Sequence, residues 1–139
     1  MNQVGVKNMR GTLNHVEIYV RDLKVTREFW RWLLLKLGYR EHLSLEEGVI
    51  SYILGETYIV FVQTQERFLD IPYHRCRVGL NHLAFHGDGR EFVDEITEEL
   101  REKGVEILYK DRHPYAGGPN YYAVFFEDPD RIKVEITAH

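Results

Sequence analysis

The sequence predicts an α+β fold in which two tandem β-α-β-β-β modules form a cup-shaped sheet around a cleft, with the helices outside. The tripeptide Leu-Asn-His occurs twice, at residues 13–15 and 80–82, and each copy runs into apolar residues. An aspartate and a glycine then follow each histidine at spacings that agree within one residue: Asp22 and Gly38 in the first copy, Asp88 and Gly104 in the second. Such a repeat is typical of a duplicated structural unit.

The first module is predicted to contain a strand, a helix and three further strands. Alternating apolar residues in "LNHVEIYV" (13–20) predict the first strand. Asp22 suits a helix N-cap, and Gly38 suits the left-handed position after the helix C-terminus. Between them, apolar residues recur every four positions and form one helical stripe, namely Val25, Phe29, Leu33 and Leu37. Strands are then predicted at roughly 39–44, 49–55 and 57–63.

The second module repeats this order. The strand "LNHLAFH" (80–86) precedes a helix with the apolar stripe Phe92, Ile96 and Leu100. The segment Asp88-Gly-Arg-Glu91 resembles a capping box, and strands are predicted at 105–110, 121–126 and 131–137. The modules therefore span about residues 12–63 and 79–137, joined by a polar connector at 64–78. Neither half has enough apolar surface to fold alone, so residues 1–139 are predicted to form one domain.

Composition excludes several classes of partner. The chain of 139 residues has a net charge of −4, which gives nucleic acid no electrostatic foothold. No apolar run approaches the ~18 residues of a membrane span, and the opening "MNQVGVKNMRG" lacks the apolar core of a signal peptide. Cys76 is the only cysteine, which fits a reducing compartment. We therefore expect a cytoplasmic protein with no nucleic-acid or membrane partner.

Strand alternation predicts which polar side chains face the cleft. His15 and Glu17 lie opposite the apolar face of the first strand. His82 does so in the second module, and Glu135 does so in the last strand. An ordinary solvent-facing sheet would explain any one of these residues. Two imidazoles and a carboxylate at equivalent points of a repeat instead indicate a site for one divalent ion of zinc, iron, manganese, nickel or cobalt, with open coordination positions.

The duplicated unit, the "NH" of each first strand and the ending "FFEDPDRIKVEI" resemble the vicinal oxygen chelate superfamily. This superfamily includes glyoxalase I, type I extradiol dioxygenases, and fosfomycin- and bleomycin-resistance proteins. The resemblance spans about residues 12–137 and implies that His15, His82 and Glu135 are metal ligands. Many glyoxalase I enzymes carry a fourth ligand, a glutamate on the last strand of the first half. Here the matching position falls near Phe61, and Gln63 is the only polar candidate at that end.

Two further residues are candidates for catalysis. Glu17 would act as a general base on the cleft face. The alternative is that Glu17 supports a neighbour or forms an ion pair with Arg131 or Lys133. One of the two tyrosines at 121–122 should face inward and donate a hydrogen bond to an oxyanion, and we assign this role to Tyr122.

These features predict a glyoxalase-like, divalent-metal-dependent enzyme that acts on a small oxygenated, metal-chelating substrate by lyase, isomerase or dioxygenase chemistry. The alternative is a metal-free protein of the bleomycin-resistance kind, which sequesters a small molecule in the same cleft. The resemblance also implies a homodimer, in some members with modules exchanged between chains so that ligands come from both. The polar loop at 111–122 either closes over the substrate or is a plain surface loop.

Overall fold

The computed structural model describes residues 9–139, which form two sheets and two α-helices. The first module contains β1 (His15–Val20), α1 (Leu23–Lys36), β2 (Arg40–Ser44), β3 (Val49–Leu54) and β4 (Thr57–Gln63). The second contains β5 (His82–His86), α2 (Arg90–Glu102), β6 (Ala123–Glu127) and β7 (Lys133–Thr137). Short 3-10 helices follow β2 and β4. The predicted α+β fold of tandem modules is confirmed, with one departure in the second half.

The strands form two sheets, one from each module. The first sheet has the order β1-β4-β3-β2, and the second has the order β5-β7-β6. In both sheets the first strand of the module pairs in parallel with its last strand, and the other pairs are antiparallel. β1 and β5 therefore occupy equivalent edge positions, as the repeated Leu-Asn-His predicts.

The segment 105–110 departs from the predicted repeat. Ile107 makes an isolated antiparallel bridge to Phe126, but no extended strand forms there. The chain turns from Leu108 onward, and Tyr109 has a φ of 54°, in the left-handed region that a strand does not contain. Within residues 9–139 the second sheet therefore has three strands, whereas the sequence predicts four.

The helix ends include one incorrect prediction. Asp22 caps α1, because its Oδ1 accepts hydrogen bonds from two backbone N–H groups of the first turn, at 3.0 and 3.4 Å. Gly38 and Gly104 follow the two helices with positive φ, as predicted. The capping box predicted at Asp88 is wrong, since α2 starts one residue later and its N-cap is Gly89, which has no side chain to accept a bond.

One apolar core joins both modules and contains buried residues of both helices and both sheets. Trp30 of α1 is fully buried, and its ring contacts Phe61 of β4 and Phe85 of β5 at centroid separations of 5.1 and 6.2 Å. The indole N–H of Trp30 donates to Asp128 in the turn before β7 (2.8 Å). The helices thus cover the apolar faces of the sheets and leave the other faces to the candidate site. Neither described helix has the length and hydropathy needed to cross a bilayer.

Candidate functional site

Strand register places the predicted ligands on one face of each sheet. In the second sheet His82 pairs with Lys133, and Ala84 pairs with Glu135. Directly paired residues point to the same side of a sheet, and so do residues two apart on one strand. His82 and Glu135 therefore share a face. By the same rule, His15 and Glu17 share the equivalent face of the first sheet.

Each predicted histidine is held by the asparagine that precedes it. His15 Nδ1 lies 2.7 Å from Asn14 Oδ1, and His82 Nδ1 lies 2.7 Å from Asn81 Oδ1. An amide oxygen can only accept a hydrogen bond, so Nδ1 donates and the neutral ring keeps its lone pair on Nε2. Hydrogen bonds of this kind fix the tautomer and orientation of metal-binding histidines. Both imidazoles are thus prepared to bind a metal through Nε2.

His82, Glu135 and Tyr121 form a connected polar group. His82 Nε2 lies 3.1 Å from Glu135 Oε1, and the hydroxyl of Tyr121 donates to Glu135 Oε2. Because Glu135 is only 4% exposed, bulk water does not satisfy its oxygens. Oε2 accepts the Tyr121 hydroxyl, whereas Oε1 faces the unprotonated Nε2 of His82. The hydrogen bond to Glu135 raises the pKa of Tyr121, which keeps the phenol protonated as a donor.

The tyrosine that contacts the predicted ligands is Tyr121, whereas the sequence assigned the inward position to Tyr122. The hydroxyl of Tyr122 donates to Asp94 of α2 (2.5 Å), on the helix side of the sheet. Phe125 pairs with Glu135, and counting back in steps of two from Phe125 reaches residue 121. β6 is apolar from Ala123 to Phe126, so the alternation is visible in the sequence only through Glu127 at its end, which has the same parity as Tyr121.

His15 and Glu17 form a second, more exposed pair. His15 Nε2 lies 3.6 Å from Glu17 Oε2, and the two side chains are 37% and 59% exposed. The imidazole of His15 stacks on Tyr58 of β4, with centroids 4.6 Å apart and an interplanar angle of 5°. In the described part of the chain, Glu17 forms no ion pair with Arg131 or Lys133.

The two pairs do not combine into one site within a single chain. Between residues 9 and 139, no group of three or more His, Cys, Asp or Glu side chains is placed to hold one metal ion. His82 and Glu135 come together, whereas the polar and ring contacts of His15 are with residues of its own module. One chain therefore offers two half-sites, at equivalent positions of the repeat.

The position equivalent to Glu135 in the first module is Val60, and the estimate of Phe61 is one residue out. Glu135 pairs with the residue two after His82, and the residue two after His15 pairs with Val60. Phe61 points to the helix side and is fully buried. The apolar residues of β4 give the sequence no alternation from which to choose between these neighbours.

Gln63, the polar candidate for a fourth ligand, has a structural role instead. Its Oε1 accepts the backbone N–H of Leu23 (2.9 Å), and its Nε2 donates to the carbonyl of Arg21 (2.8 Å). These bonds join the end of β4 to the start of α1. The side chain amide is therefore already occupied.

The loop at 111–122 lies partly against α2. Tyr115 packs edge-on against Tyr122, whose hydroxyl contacts α2, and burial lowers the pKa of His113. Arg112 instead lies over the ring of Tyr109, 5.2 Å from its centroid. Tyr115 is therefore turned towards α2 rather than towards Glu135.

A mostly apolar cleft of about 650 Å³ runs beside Glu17. β1, the connector after β4 and the turn before β7 line it. Three large apolar side chains in its lining, Tyr19, Phe68 and Ile71, are 69%, 58% and 74% exposed. A cleft of this size accommodates a small molecule, and exposed apolar surface of this extent is typical of a ligand or protein contact.

Comparisons with known proteins agree with this architecture. The sequence model of the Glyoxalase/Bleomycin resistance protein/Dioxygenase superfamily matches residues 12–136. The chain is 55% identical over 126 residues to the uncharacterized protein YqjT of Bacillus subtilis (strain 168), which covers 91% of this chain and 98% of that protein.

Two solved structures also match. A proposed glyoxalase from Bacillus halodurans is 57% identical with a TM-score of 0.90, and the match covers 93% of this chain and 96% of that one. A mutant of fosfomycin resistance protein FosX from Listeria monocytogenes, in complex with Mn(II) and 1S,2S-dihydroxypropylphosphonic acid, is 22% identical with a TM-score of 0.64. That match covers 94% of this chain and 91% of the other, and it shows a shared fold.

Proposed function

Because the chain belongs to the Glyoxalase/Bleomycin resistance protein/Dioxygenase superfamily, we propose that it is an enzyme that holds one divalent metal ion and acts on a small oxygenated molecule. In this proposal the ligands are His15, His82 and Glu135, and neighbouring oxygens of the substrate chelate the ion. Two imidazole nitrogens and a carboxylate suit zinc, iron, manganese, nickel or cobalt. The ion would act as a Lewis acid toward the substrate oxygens.

The repeated asparagine–histidine pair carries this proposal. The same 2.7 Å contact at both positions of the repeat leaves two Nε2 atoms with their lone pairs available. Glu135 adds support, because a buried carboxylate beside an unprotonated nitrogen is stabilised by a cation between them. A solvent-facing sheet would not require this arrangement twice.

A second copy of the chain would complete the site. Within the described residues of one chain, His15 is not grouped with His82 and Glu135. A site with three protein ligands would therefore need its third ligand from another chain. We therefore include a homodimer in the proposal, in which His15 of one copy joins the His82–Glu135 pair of the other. The exposed apolar side chains around the cleft, such as Phe68 and Ile71, would supply buried contact area.

Glu17 is the proposed proton acceptor. Its carboxylate lies 3.6 Å from Nε2 of His15 and is 59% exposed, so a substrate bound at His15 would be within its reach. It would remove a proton from the carbon next to a chelating oxygen. Tyr121 would hold Glu135 in orientation through its hydroxyl hydrogen bond. A base of this kind favours isomerase or lyase chemistry.

Metal analysis tests the proposal. Protein purified without chelators and dialysed against micromolar zinc, manganese, nickel, cobalt or ferrous iron should retain close to one equivalent of at least one metal per chain. The His42→Ala variant should retain the same amount, because His42 lies on β2, three strands from β1 in the first sheet and roughly 14 Å from Glu17. Retention of no metal by the wild-type protein would overturn the proposal.

The cleft favours a second candidate function. Its lining is mostly apolar and includes Tyr19 and Phe68. Among the described residues, no group of three metal-ligating side chains lies in it. A metal-free protein that sequesters a small aromatic molecule would use the same volume. Tight binding of an aromatic compound by chelator-treated protein that retains no metal would favour this alternative.

A further inference from the structure

Lys133 places a positive charge on the face that carries His82 and Glu135. It pairs directly with His82 across β5 and β7, and it lies two residues before Glu135 on β7. Residues two apart on a strand are separated by about 6.6 Å and point the same way. The Lys133 side chain therefore belongs to the surroundings of the proposed metal.

The ammonium group of Lys133 has no carboxylate partner in the described part of the chain. Nζ donates to the hydroxyl of Tyr109 (2.8 Å) and lies over the rings of Tyr109 and Phe125, 4.8 and 5.3 Å from their centroids. Glu127 is directly opposite Lys133 on β6, but its oxygens contact the guanidinium groups of Arg75 and Arg131. The nearest acidic residue by strand pairing is thus neutralised by other cations.

Lys133 has more hydrogen-bond donors than it has acceptors among the described residues. An ammonium group carries three N–H donors, and among the described residues its recorded hydrogen-bond acceptor is the Tyr109 hydroxyl alone. The two rings hold the charge in place by cation–π attraction without consuming a donor. Because Lys133 is half-buried, the remaining donors are partly shielded from water and are stronger toward a charged acceptor.

The position of Tyr109 is unusual in a way that fits a binding role. Its φ of 54° is rare for a residue with a side chain and costs on the order of 1 kcal/mol or more. This conformation ends the strand predicted at 105–110, and the Tyr109 hydroxyl reaches Lys133. Strained backbone persists only where the surrounding structure enforces it, and it clusters at active sites and ligand clamps.

We propose that Lys133, positioned by Tyr109, binds an oxyanion of the substrate, a carboxylate or a phosphoryl group, next to the oxygens that chelate the metal. The inference rests on the proposed metal site, and it names the substrate class as a small chelator that carries a separate negative charge. The Tyr109 hydroxyl would share the same oxyanion as a second donor. An uncharged diol or ketone would lack this contact and would bind more weakly.

Matched hydroxamates test the charge preference, because they share one chelating end. Acetohydroxamate has a methyl tail, malonic monohydroxamate has a carboxylate, and phosphonoacetohydroxamate has a phosphonate. Affinities for metal-loaded protein would be measured by calorimetry. We expect wild-type protein to bind at least one charged probe about 10- to 100-fold more tightly than acetohydroxamate, as one charge-assisted hydrogen bond provides. The tighter of the two charged probes distinguishes a carboxylate site from a phosphoryl site.

Three variants assign that preference to Lys133. Lys133→Met should remove the preference while leaving metal content and acetohydroxamate affinity unchanged, and Lys133→Arg should keep part of it. Lys110→Met is the matched control, because Lys110 is 76% exposed and its ion pair among the described residues is with Glu106 at 4.0 Å. Circular dichroism would verify that each variant is folded.

The outcomes separate this inference from the proposed function. Metal retention with no charge preference in the wild-type protein, or an unchanged preference in Lys133→Met, would overturn the oxyanion site alone. If Lys133→Met lost affinity equally for charged and uncharged probes, the oxyanion site would also be overturned, since the residue would then support the metal site as a whole. Wild-type protein without metal would overturn both.

Discussion

At the scale of single residues, hydrogen bonds hold the candidate ligands in place and leave one pair of acceptor atoms free for a cation. His82 uses Nδ1 for Asn81 and lies with Nε2 beside Glu135, and Tyr121 donates to the other oxygen of Glu135. Hydrogen bonds that fix both ends of a side chain hold it ready for a ligand, because little rotamer entropy remains to be lost on binding. The Lys133 ammonium beside them differs, since among residues 9–139 only one of its three donors has an acceptor.

Removal of either member of the buried pair should remove the metal. We expect His82→Ala and Glu135→Ala to lose metal retention, because each deletes one of three proposed ligands. Metal content after dialysis would be measured by atomic emission, with His42→Ala as the control. Metal retention at the wild-type level in either variant would exclude that residue as a ligand.

Glu17 should separate binding from turnover. Glu17→Gln keeps the size of the side chain but cannot accept a proton. We expect this variant to retain the metal, because Glu17 is not one of the three proposed ligands. Hydrogen–deuterium exchange at the carbon next to the carbonyl of hydroxyacetone, followed by NMR on metal-loaded protein, should slow by roughly 10²- to 10⁴-fold. Wild-type exchange rates in this variant would remove Glu17 from the chemistry.

At the scale of elements, the sequence predicted the strands and helices better than their faces. The ends of α1 were predictable from Asp22 and Gly38, because an N-cap needs a side chain that accepts hydrogen bonds and the left-handed position after a helix favours glycine. The repeated histidines marked β1. The faces of β4 and β6 were not predicted, since both strands are apolar on both sides except at their ends. The fourth-ligand position and the inward tyrosine were each one residue out. The strand at 105–110 failed because Tyr109 leaves the β region, which no local pattern signals.

The turn before β7 depends on a buried carboxylate. Asp128 accepts the indole N–H of Trp30 through Oδ2 and the backbone N–H groups of Asp130 and Ile132 through Oδ1, each at 2.8 Å. Burial outweighs these bonds and raises the pKa of Asp128 from 3.8 to about 6. The contact between Trp30 and Asp128 links the two modules, and the free energy needed to bury the ionised Asp128 depends on pH.

That cost predicts a pH dependence of stability. Because the folded state holds the proton of Asp128 more tightly than the unfolded state, its contribution to the free energy of unfolding is full below pH 3.8 and is lost as the pH rises through about 6. The loss amounts to roughly 3 kcal/mol. Glu41 and Glu99, whose pKa values are lowered mainly by hydrogen bonds to Arg27 and Lys36, act in the opposite sense below about pH 4.5.

Urea unfolding between pH 4.5 and 6.5 measures this effect. The free energy of unfolding of the wild-type protein should fall with rising pH relative to that of Asp128→Asn, which cannot titrate. A carboxyl ¹³C titration of Asp128 should have its midpoint near pH 6. Parallel pH profiles for the two proteins would contradict the expected shift.

At the scale of the whole molecule, the duplication gives one chain two separate pairs of candidate residues, His15 with Glu17 and His82 with Glu135. The sequence predicted equivalent positions for His15 and His82, and the strand order confirms that β1 and β5 are equivalent edges. Sequence periodicity cannot say whether two such edges serve one chain or two, because it contains no information on the packing of modules. Within residues 9–139 His15 stays apart from His82 and Glu135, so the proposed three-ligand site takes its third ligand from a second chain.

Mixed dimers test this assembly directly. Neither His15→Ala nor His82→Ala should retain metal alone, but a mixed dimer would contain one intact site and one doubly defective site. Random association of equal amounts after joint refolding should therefore restore about a quarter of the wild-type metal content. A mixture of His82→Ala and Glu135→Ala is the control and should restore none, because both changes affect the same half-site. Recovery in neither mixture, or a wild-type monomer in sedimentation at micromolar concentration, would rule out a site shared between two chains.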